Sequence, residues 1–413
     1  MRKSMSMLLK FQYKAVSKQL ITSLILMVSL GAMPTLGAES PNQSWQVHGF
    51  LAQGLIGVQG SDFVNDEENT SLKLTEIGLN ATYQLNDSLR IAGQAVYLNG
   101  GNRYAEGVRI DYLLADWSLY TSEHWQANLY IGRFKTYHWL YSSTRDVPMT
   151  RPSIILPQSV YFDGTRDLSV GGDGLALSAK HFSDTWGEFD FNLSSGISPI
   201  SDKQTKLLMG RISKGDLQHD NDLQASIYWQ PEMSNWRLGI ALTDGDFSYE
   251  TKNENIFADG DLALKRYYVN GEYQAEKWTF SFELLQEQLV LDGLLFPTFY
   301  SDTTGQGGFV QGEYQLNENI KLLTRYEHYY GNKDDKHGVQ LEKNSFGYVP
   351  HYFGYQHDSV LGVTYHLSTN MQIQLEHHWV KGTARLTPVV FPDPTVNYNK
   401  YWHISALQFI TWF

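Results

Sequence analysis

The residues with the clearest capacity for chemistry lie between Lys135 and Asp167, where basic and acidic side chains alternate with prolines. The charged residues are Lys135, Arg145, Arg151 and Arg166 with Asp146, Asp163 and Asp167, and the prolines are Pro148, Pro152 and Pro157. Such charges either pair with each other or face each other across water, where their field selects solutes by charge, size and dipole. The prolines fix backbone angles, so the segment can hold a shape without strand pairing.

Enzyme and metal motifs are missing from the sequence. There is no phosphate-cradling glycine loop, zinc-protease helix motif or serine elbow. The spacing of His351, His357, His377 and His378 matches no standard ligand set, so no metal, cofactor or catalytic residue is assigned. Two Asp-Gly-Asp triplets, 244–246 and 259–261, lack the rest of a calcium loop and are expected to form turns.

The first 38 residues have the layout of a secretory signal. A basic head ending at Lys18 precedes an apolar run over 20–33, and small residues at Gly37 and Ala38 offer a cleavage site. The alternative is a membrane anchor, but the run is shorter than the roughly 20 residues that a spanning helix needs. We therefore predict a cleaved signal over 1–38 and one domain over 39–413.

Composition limits the class of the exported domain. The whole chain has a net charge of −12, and removal of the basic residues of 1–38 makes the remainder more acidic still, which disfavours a nucleic-acid partner. The chain has no cysteine for disulfides. Aromatic residues make up 14% of the chain, although its mean hydropathy is −0.35. An aromatic-rich chain that is polar on average fits a membrane barrel in which apolar and polar residues alternate.

Alternation of apolar and polar residues is the main evidence for strands, because successive strand residues point to opposite faces. The segment 76–85 is an example: its odd positions suit lipid, namely Ile77, Leu79, Ala81, Tyr83 and Leu85. Charged residues that fall on the opposite, lumen-facing parity of this and similar segments are Glu76, Arg90, Glu283, Arg325, Glu327 and Glu376. Their acidic excess would favour cations if it lay at the narrowest point, whereas a wet wall would equally tolerate such charges in pairs.

Short polar turns give an independent strand count. Seven occur, near Asn86, Ser122, Asp184, Glu232, Glu276, Glu318 and Thr369, with aromatic residues crowded beside several of them. Seven turns with both chain ends on the same side predict an all-β, antiparallel transmembrane barrel of about 16 strands, each about 10 residues long. Residues 198–222 are assigned to an outer loop, because a strand there would make the count odd.

The last strand carries a resemblance to a known family. KYWHISALQFITWF ends on Phe413, with Leu407 and Phe409 on the same parity, and so resembles the C-terminal strand that the barrel-assembly machinery reads in outer-membrane proteins. Thr411 departs from that pattern. By this resemblance the chain is similar to the 16-stranded porins of the Gram-negative outer membrane. The resemblance implies passive diffusion of small hydrophilic solutes or ions, surrounding lipid and lipopolysaccharide, and in many cases a homotrimer.

The resemblance also bears on residues 135–167, the third and longest outer loop by this count. In porins this loop often folds into the channel, where the charges listed above would line a constriction. Alternatively, the loop packs outside, over a neighbouring subunit, with its charges paired for solubility. Aromatics such as Tyr161, Phe162, Tyr300 and Tyr352 leave open a substrate-specific channel, and a Ser/His pair of an outer-membrane hydrolase could meet only in space.

Overall fold

The computed structural model describes residues 44–66, 69–252, 256–386, 388–393 and 399–413. The strands lie within Ser44–Trp412, which forms one compact unit. The predicted signal, 1–38, lies outside the described residues. No helix among the described residues is long and apolar enough to cross a membrane.

Sixteen long strands within the described ranges form a single antiparallel sheet. They are β1 (Trp45–Gln59), β2 (Thr75–Asn86), β3 (Leu89–Asn99), β4 (Gly107–Thr121), β5 (Trp125–Lys135), β6 (Gly171–Ser183), β7 (Gly187–Ile197), β8 (Gly215–Gln230), β9 (Trp236–Thr251), β10 (Gly260–Gln274), β11 (Trp278–Asp292), β12 (Tyr300–Gln315), β13 (Ile320–Tyr330), β14 (Tyr355–Ser368), β15 (Met371–Gly382) and β16 (Tyr401–Trp412). A two-residue strand, Thr70–Ser71, lies just before β2 in the chain and continues the pairing of β1 toward the outer loops.

The sheet closes on itself. Each strand pairs with its sequence neighbours, and β1 pairs with both β2 and β16, so that Phe50 lies opposite Gly78 on one side and Trp412 on the other. Closure leaves no strand edge unpaired, which is the condition for a sheet to stand in a hydrocarbon layer. The predicted 16-stranded antiparallel barrel is confirmed.

All seven predicted turns join neighbouring strands at one end of the barrel, and the longest of them, between β8 and β9, has five residues. The opposite end carries the outer loops. Residues 198–214 form the fourth of these loops and include helix α1 (Asp202–Met209). This part of the chain forms no strand, in agreement with its assignment to a loop. Strand β8 nevertheless begins at Gly215, several residues before the expected end of that loop.

The two faces of the wall differ as the parity of the strands predicts. Leu79, Leu284 and Leu375 are each about half exposed on the outside of the isolated chain, in the position where lipid would cover them. At the turn end, outward aromatic rings pack across neighbouring strands: Trp236 on Tyr273, with ring centroids 5.0 Å apart. Such rows of rings are typical of the level of lipid headgroups.

Two expectations about the strands are wrong. The strands have 11 to 16 residues rather than about 10, and the longest, including β8 and β9, are on the side of the barrel opposite β1. Residues 244–246 therefore lie inside β9, paired with β8 and β10, and form no turn. Aspartates suit this outer half of β9 because its outward face carries charge, as the contact of Asp244 with Lys265 shows.

The barrel interior holds apolar clusters as well as polar residues, although alternation predicts a polar lumen. In one cluster the third outer loop packs Trp139, Tyr141 and Leu156 against inward residues of β9–β12, including Tyr268 and Phe309. A second cluster lies at the outer mouth, between α1, β8–β11 and the sixth and eighth loops. Loops that enter the barrel thus bury apolar surface against the wall.

Candidate functional site

The third outer loop, residues 136–170, turns inward between β5 and β6 and crosses the lumen. Early in the loop, Trp139 stacks on Tyr268 of β10, with ring centroids 4.8 Å apart. Further on, the backbone N–H of Ile154 donates to Glu376 of β15 at 2.8 Å. These strands are five and six positions from β5, in opposite directions around the barrel. The loop therefore touches the wall on both sides of the lumen.

Local sequence explains how so long a loop keeps one shape. Pro148 begins a 3-10 turn, Pro148–Thr150, and the carbonyl of Pro157 accepts hydrogen bonds from the amides of Val160 and Tyr161. A second 3-10 turn, Asp163–Thr165, follows. Because proline needs no hydrogen-bond partner for its nitrogen, these turns satisfy most of the backbone without strand pairing.

Four buried glutamates on the wall, which we call the anchoring glutamates, bind this loop. They are Glu76 of β2, Glu283 of β11, Glu327 of β13 and Glu376 of β15. In that order they accept hydrogen bonds from Arg151 Nη2 at 2.7 Å, the Tyr161 hydroxyl at 2.6 Å, the Ser159 amide at 2.8 Å and the Ile154 amide at 2.8 Å. A buried carboxylate needs such donors, so each contact both satisfies the wall and holds the loop.

Arg325 adds a contact of the opposite sign. Its guanidinium donates to the Ser153 hydroxyl at 2.8 Å and to the Ile155 carbonyl at 2.9 Å, and it lies 3.3 Å from Glu327. Five of the six charges predicted to face the lumen thus contact the third outer loop or its partners. Arg90 does not: it lies near the turn end, half exposed, and pairs with Asp116 at 2.5 Å. The parity of a residue in its strand predicts whether it faces the lumen or the lipid, but not its position along the barrel axis.

On the side of β4 and β5, the loop charges form buried ion pairs. Lys135, at the end of β5, donates to Asp111 at 2.6 Å and to Asp146 at 3.3 Å, and Arg166 also donates to Asp146. Burial alone would raise the pKa of Asp146, but the charges of Arg166 and Lys135 lower it well below its usual range. The carboxylate therefore remains ionised inside the barrel.

A second set of ion pairs surrounds Asp163. Arg103, from the second loop, and Arg145 contact its two oxygens at 2.7 and 2.9 Å. Burial raises the pKa of Asp163, but these two cations outweigh it and the pKa is lowered. Asp167 lies 3.5 Å from Arg109 and accepts a hydrogen bond from the Ser201 hydroxyl at 2.7 Å.

The charges of the third outer loop are therefore inside the barrel and paired. The segment lies in the lumen rather than over the outside, yet its arginines and aspartates contact each other and the wall instead of facing each other across open water. Low exposure makes such pairing necessary, because an unpaired charge in this interior would cost several kcal/mol, roughly.

Several residues of this site have no signal in the sequence. Asp111 lies at a bulge in β4, where the register shifts between Gln94 and Ala95, so strict alternation misplaces it. His378 of β15 lies between two carboxylates, 2.6 Å from Asp358 and 2.5 Å from Glu376. It therefore contacts one of the anchoring glutamates in addition to that residue's bond with the loop. No group of three or more metal-ligating side chains occurs among the described residues.

Neither a family model nor a curated protein matches this sequence. Solved structures do match. The outer-membrane protein OmpT of Vibrio cholerae, in its trimer form, is 12% identical with a TM-score of 0.53, over 89% of this chain and 99% of the other. The outer membrane channel DcaP of Acinetobacter baumannii is 11% identical, with a TM-score of 0.53 over 89% and 97%.

An anion-selective porin from Comamonas acidovorans is also 11% identical, with a TM-score of 0.55, over 90% of this chain and 99% of that one. At such low identity the comparison concerns the backbone alone. The alignment nevertheless takes in nearly the whole of each barrel. The chain therefore has the closed, 16-stranded barrel fold of outer-membrane porins.

Proposed function

We propose that this protein is a passive diffusion channel for small hydrophilic solutes or ions in the Gram-negative outer membrane, and that its third outer loop forms the constriction. The observation that carries the proposal is a closed barrel, apolar outside, whose lumen is crossed by a loop fixed to the anchoring glutamates. Barrels of about 16 to 18 strands are wide enough to leave an aqueous channel.

The fold of the structural neighbours supports the same proposal. They include a channel and an anion-selective porin, and one was solved as a trimer. We extend these properties to the present chain as expectations: a homotrimer, surrounded by lipid and lipopolysaccharide and assembled by the barrel-assembly machinery. Cross-linking of membranes that contain the protein would test for the trimer, and a monomer alone would contradict it.

The N-terminal segment is part of the proposal. Residues 1–38 direct export and are removed, and 39–413 form the mature chain. N-terminal sequencing of protein from the outer-membrane fraction is expected to begin within a residue or two of Glu39. Retention of the apolar run would instead indicate an anchor.

The decisive experiment is planar-bilayer conductance of the purified, refolded protein. We expect stepwise increases of current in potassium chloride that scale with salt concentration, as for a water-filled pore. Properly folded protein that inserts without any step would overturn the channel function. No reaction is proposed, and release of fatty acids from lipid vesicles by the same preparation would favour the hydrolase alternative.

A further inference from the structure

A cavity of about 470 Å³ opens at the outer mouth, above the third outer loop. One side of it is apolar. Leu264 of β10 and Leu289 and Leu291 of β11 face inward there, and Leu208 of α1 and Val390 of the eighth loop complete the surface. Apolar walls are unusual in a lumen made for water, but they suit a ligand with an apolar body.

The inner end of the cavity carries a cation. Arg385, from the eighth loop, lies 3.1 Å from Glu287 of β11 and donates to the Ser159 carbonyl of the third outer loop at 3.3 Å. Its guanidinium lies over the ring of Tyr329, 3.4 Å from the centroid. Only 4% of Arg385 is exposed, and its Nε has no hydrogen-bond partner in the part of the chain that is described.

Arg385 shares its carboxylate partner with a second arginine. Glu287 also pairs with Arg266 at 3.1 Å, so one carboxylate serves two guanidinium groups, and a hydroxyl from Tyr329 occupies one of its oxygens as well. A further carboxylate, Asp222 of β8, interacts with the charge of Arg266 but forms no ion pair within 4 Å with either guanidinium, so Arg385 shares the one carboxylate that contacts it. Since a buried charge is costly unless it is paired, the site favours an anion.

The second acidic residue of the cavity, Asp335, lies at the other end. It belongs to the seventh loop and accepts a hydrogen bond from the Leu341 amide at 2.8 Å, at the start of helix α2 (Val339–Asn344). The strand register shows the depth of the other lining residues in the barrel. Glu287 pairs with Gly305, whereas Leu289 and Leu291 pair with residues nearer the outer end of β12. A ligand thus meets apolar wall first and the arginine last.

We infer that this outer cavity binds an organic anion with an apolar body, such as an aromatic or aliphatic carboxylate, whose charged end contacts Arg385. The inference rests on the proposed channel function, to which it adds a substrate class. The ligand lies directly against the third outer loop, because Arg385 contacts both the cavity and Ser159. The cavity is therefore a binding step on the way to the constriction.

The test is calorimetric titration of the full-length protein in detergent with three probes: 4-phenylbutyrate, its neutral amide and acetate. We expect saturable binding of 4-phenylbutyrate, and at least about tenfold weaker binding of both other probes, from the loss of the charge contact or of the apolar body. Equal binding of the amide, equal binding of acetate, or no binding of 4-phenylbutyrate would each overturn the inference.

Variants assign the binding to this site. Arg385→Gln is expected to weaken 4-phenylbutyrate binding about tenfold or more, and Arg385→Lys to restore part of it. Leu289→Asn changes the apolar wall without touching the charge and is expected to weaken binding as well. The control is Arg211→Gln, since Arg211 lies at the same mouth, pairs with Asp62 and does not line this cavity. Equal loss in the control would count against the site.

Bilayer recordings with the same probes separate this inference from the channel function. If both are right, 4-phenylbutyrate reduces the current of the wild type in a saturable way, at a lower concentration than it does for Arg385→Gln. Conductance without binding refutes the inference and leaves the channel intact. Binding without any conductance refutes the channel and leaves a ligand site in a barrel of another function.

Discussion

At the scale of single residues, the third outer loop depends on polar contacts that are almost fully shielded from water. Glu283 has no measurable exposure, and its oxygens accept hydrogen bonds from the Tyr161 hydroxyl and, at 3.2 Å, from Asn270. The Tyr161 oxygen in turn accepts from the amide of Tyr141 at 2.7 Å. One hydroxyl therefore satisfies two buried groups at once.

Removing that hydroxyl tests the importance of the contact. Tyr161→Phe leaves the Tyr141 amide without an acceptor and Glu283 with one donor fewer, so we expect a loss of about 1–3 kcal/mol in the free energy of unfolding. Urea titration of the refolded protein in lipid vesicles would measure it. Tyr300→Phe, at the exposed outer end of β12, is the control and should change stability by less than about 0.5 kcal/mol. Equal stability of both variants would show that the loop is not held here.

Ion selectivity belongs to the same scale. Replacing Arg145, Arg151 and Arg166 together by Gln removes three positive charges from the lumen, so the channel should become more selective for cations. The reversal potential in a gradient of potassium chloride measures this. A matched control replaces three basic residues by Gln: Arg90, Lys180 and Arg237. These residues lie near the turn end and pair with acidic residues of the inner wall. Identical shifts in the two triple variants would argue against a constriction at the third outer loop.

At the scale of elements, the sequence predicts the barrel better than its contents. Alternation and turns are local signals, and they give the number of strands, their faces and all seven turns. The end of a strand is less certain: β8 begins before the expected loop end, because a bulge near Asn221 lets its outer part pair with β9. Contacts of the third outer loop join residues more than a hundred positions apart, such as Ser159 and Glu327, and no local pattern reports them.

The match between loop and wall can be tested at one glycine. Gly307 of β12 faces inward, and a Cβ there would lie 2.6 Å from the Ser159 carbonyl oxygen. Gly307→Ala forces the loop backbone to move, so we expect a loss of about 1–3 kcal/mol in the free energy of unfolding. Gly312→Ala, on the same strand but facing outward, meets only ordinary contacts, the nearest at 3.5 Å, and serves as the control. A loss in the control alone would contradict this packing.

At the scale of the whole molecule, the barrel is a closed wall whose lumen is crossed by one loop. A barrel of 16 strands encloses more space than its own side chains fill, and the third outer loop occupies part of that space. Replacing 141–165 by a short Gly-Ser linker should therefore increase the single-channel conductance while the closed sheet persists. Strand content by circular dichroism is the check on folding. An unchanged conductance would locate the narrowest point elsewhere.

The spacing of the anchoring glutamates along the chain also orders events in time. Glu327 and Glu376 follow their loop partners by 168 and 222 residues, so each of these bonds forms only when distant parts of the chain have come together. Until β13 and β15 have joined the barrel, the Ser159 and Ile154 amides lack these two acceptors. Bonds between such distant residues form slowly. We therefore expect the third outer loop to reach its final position late, after the strands that carry these glutamates have paired.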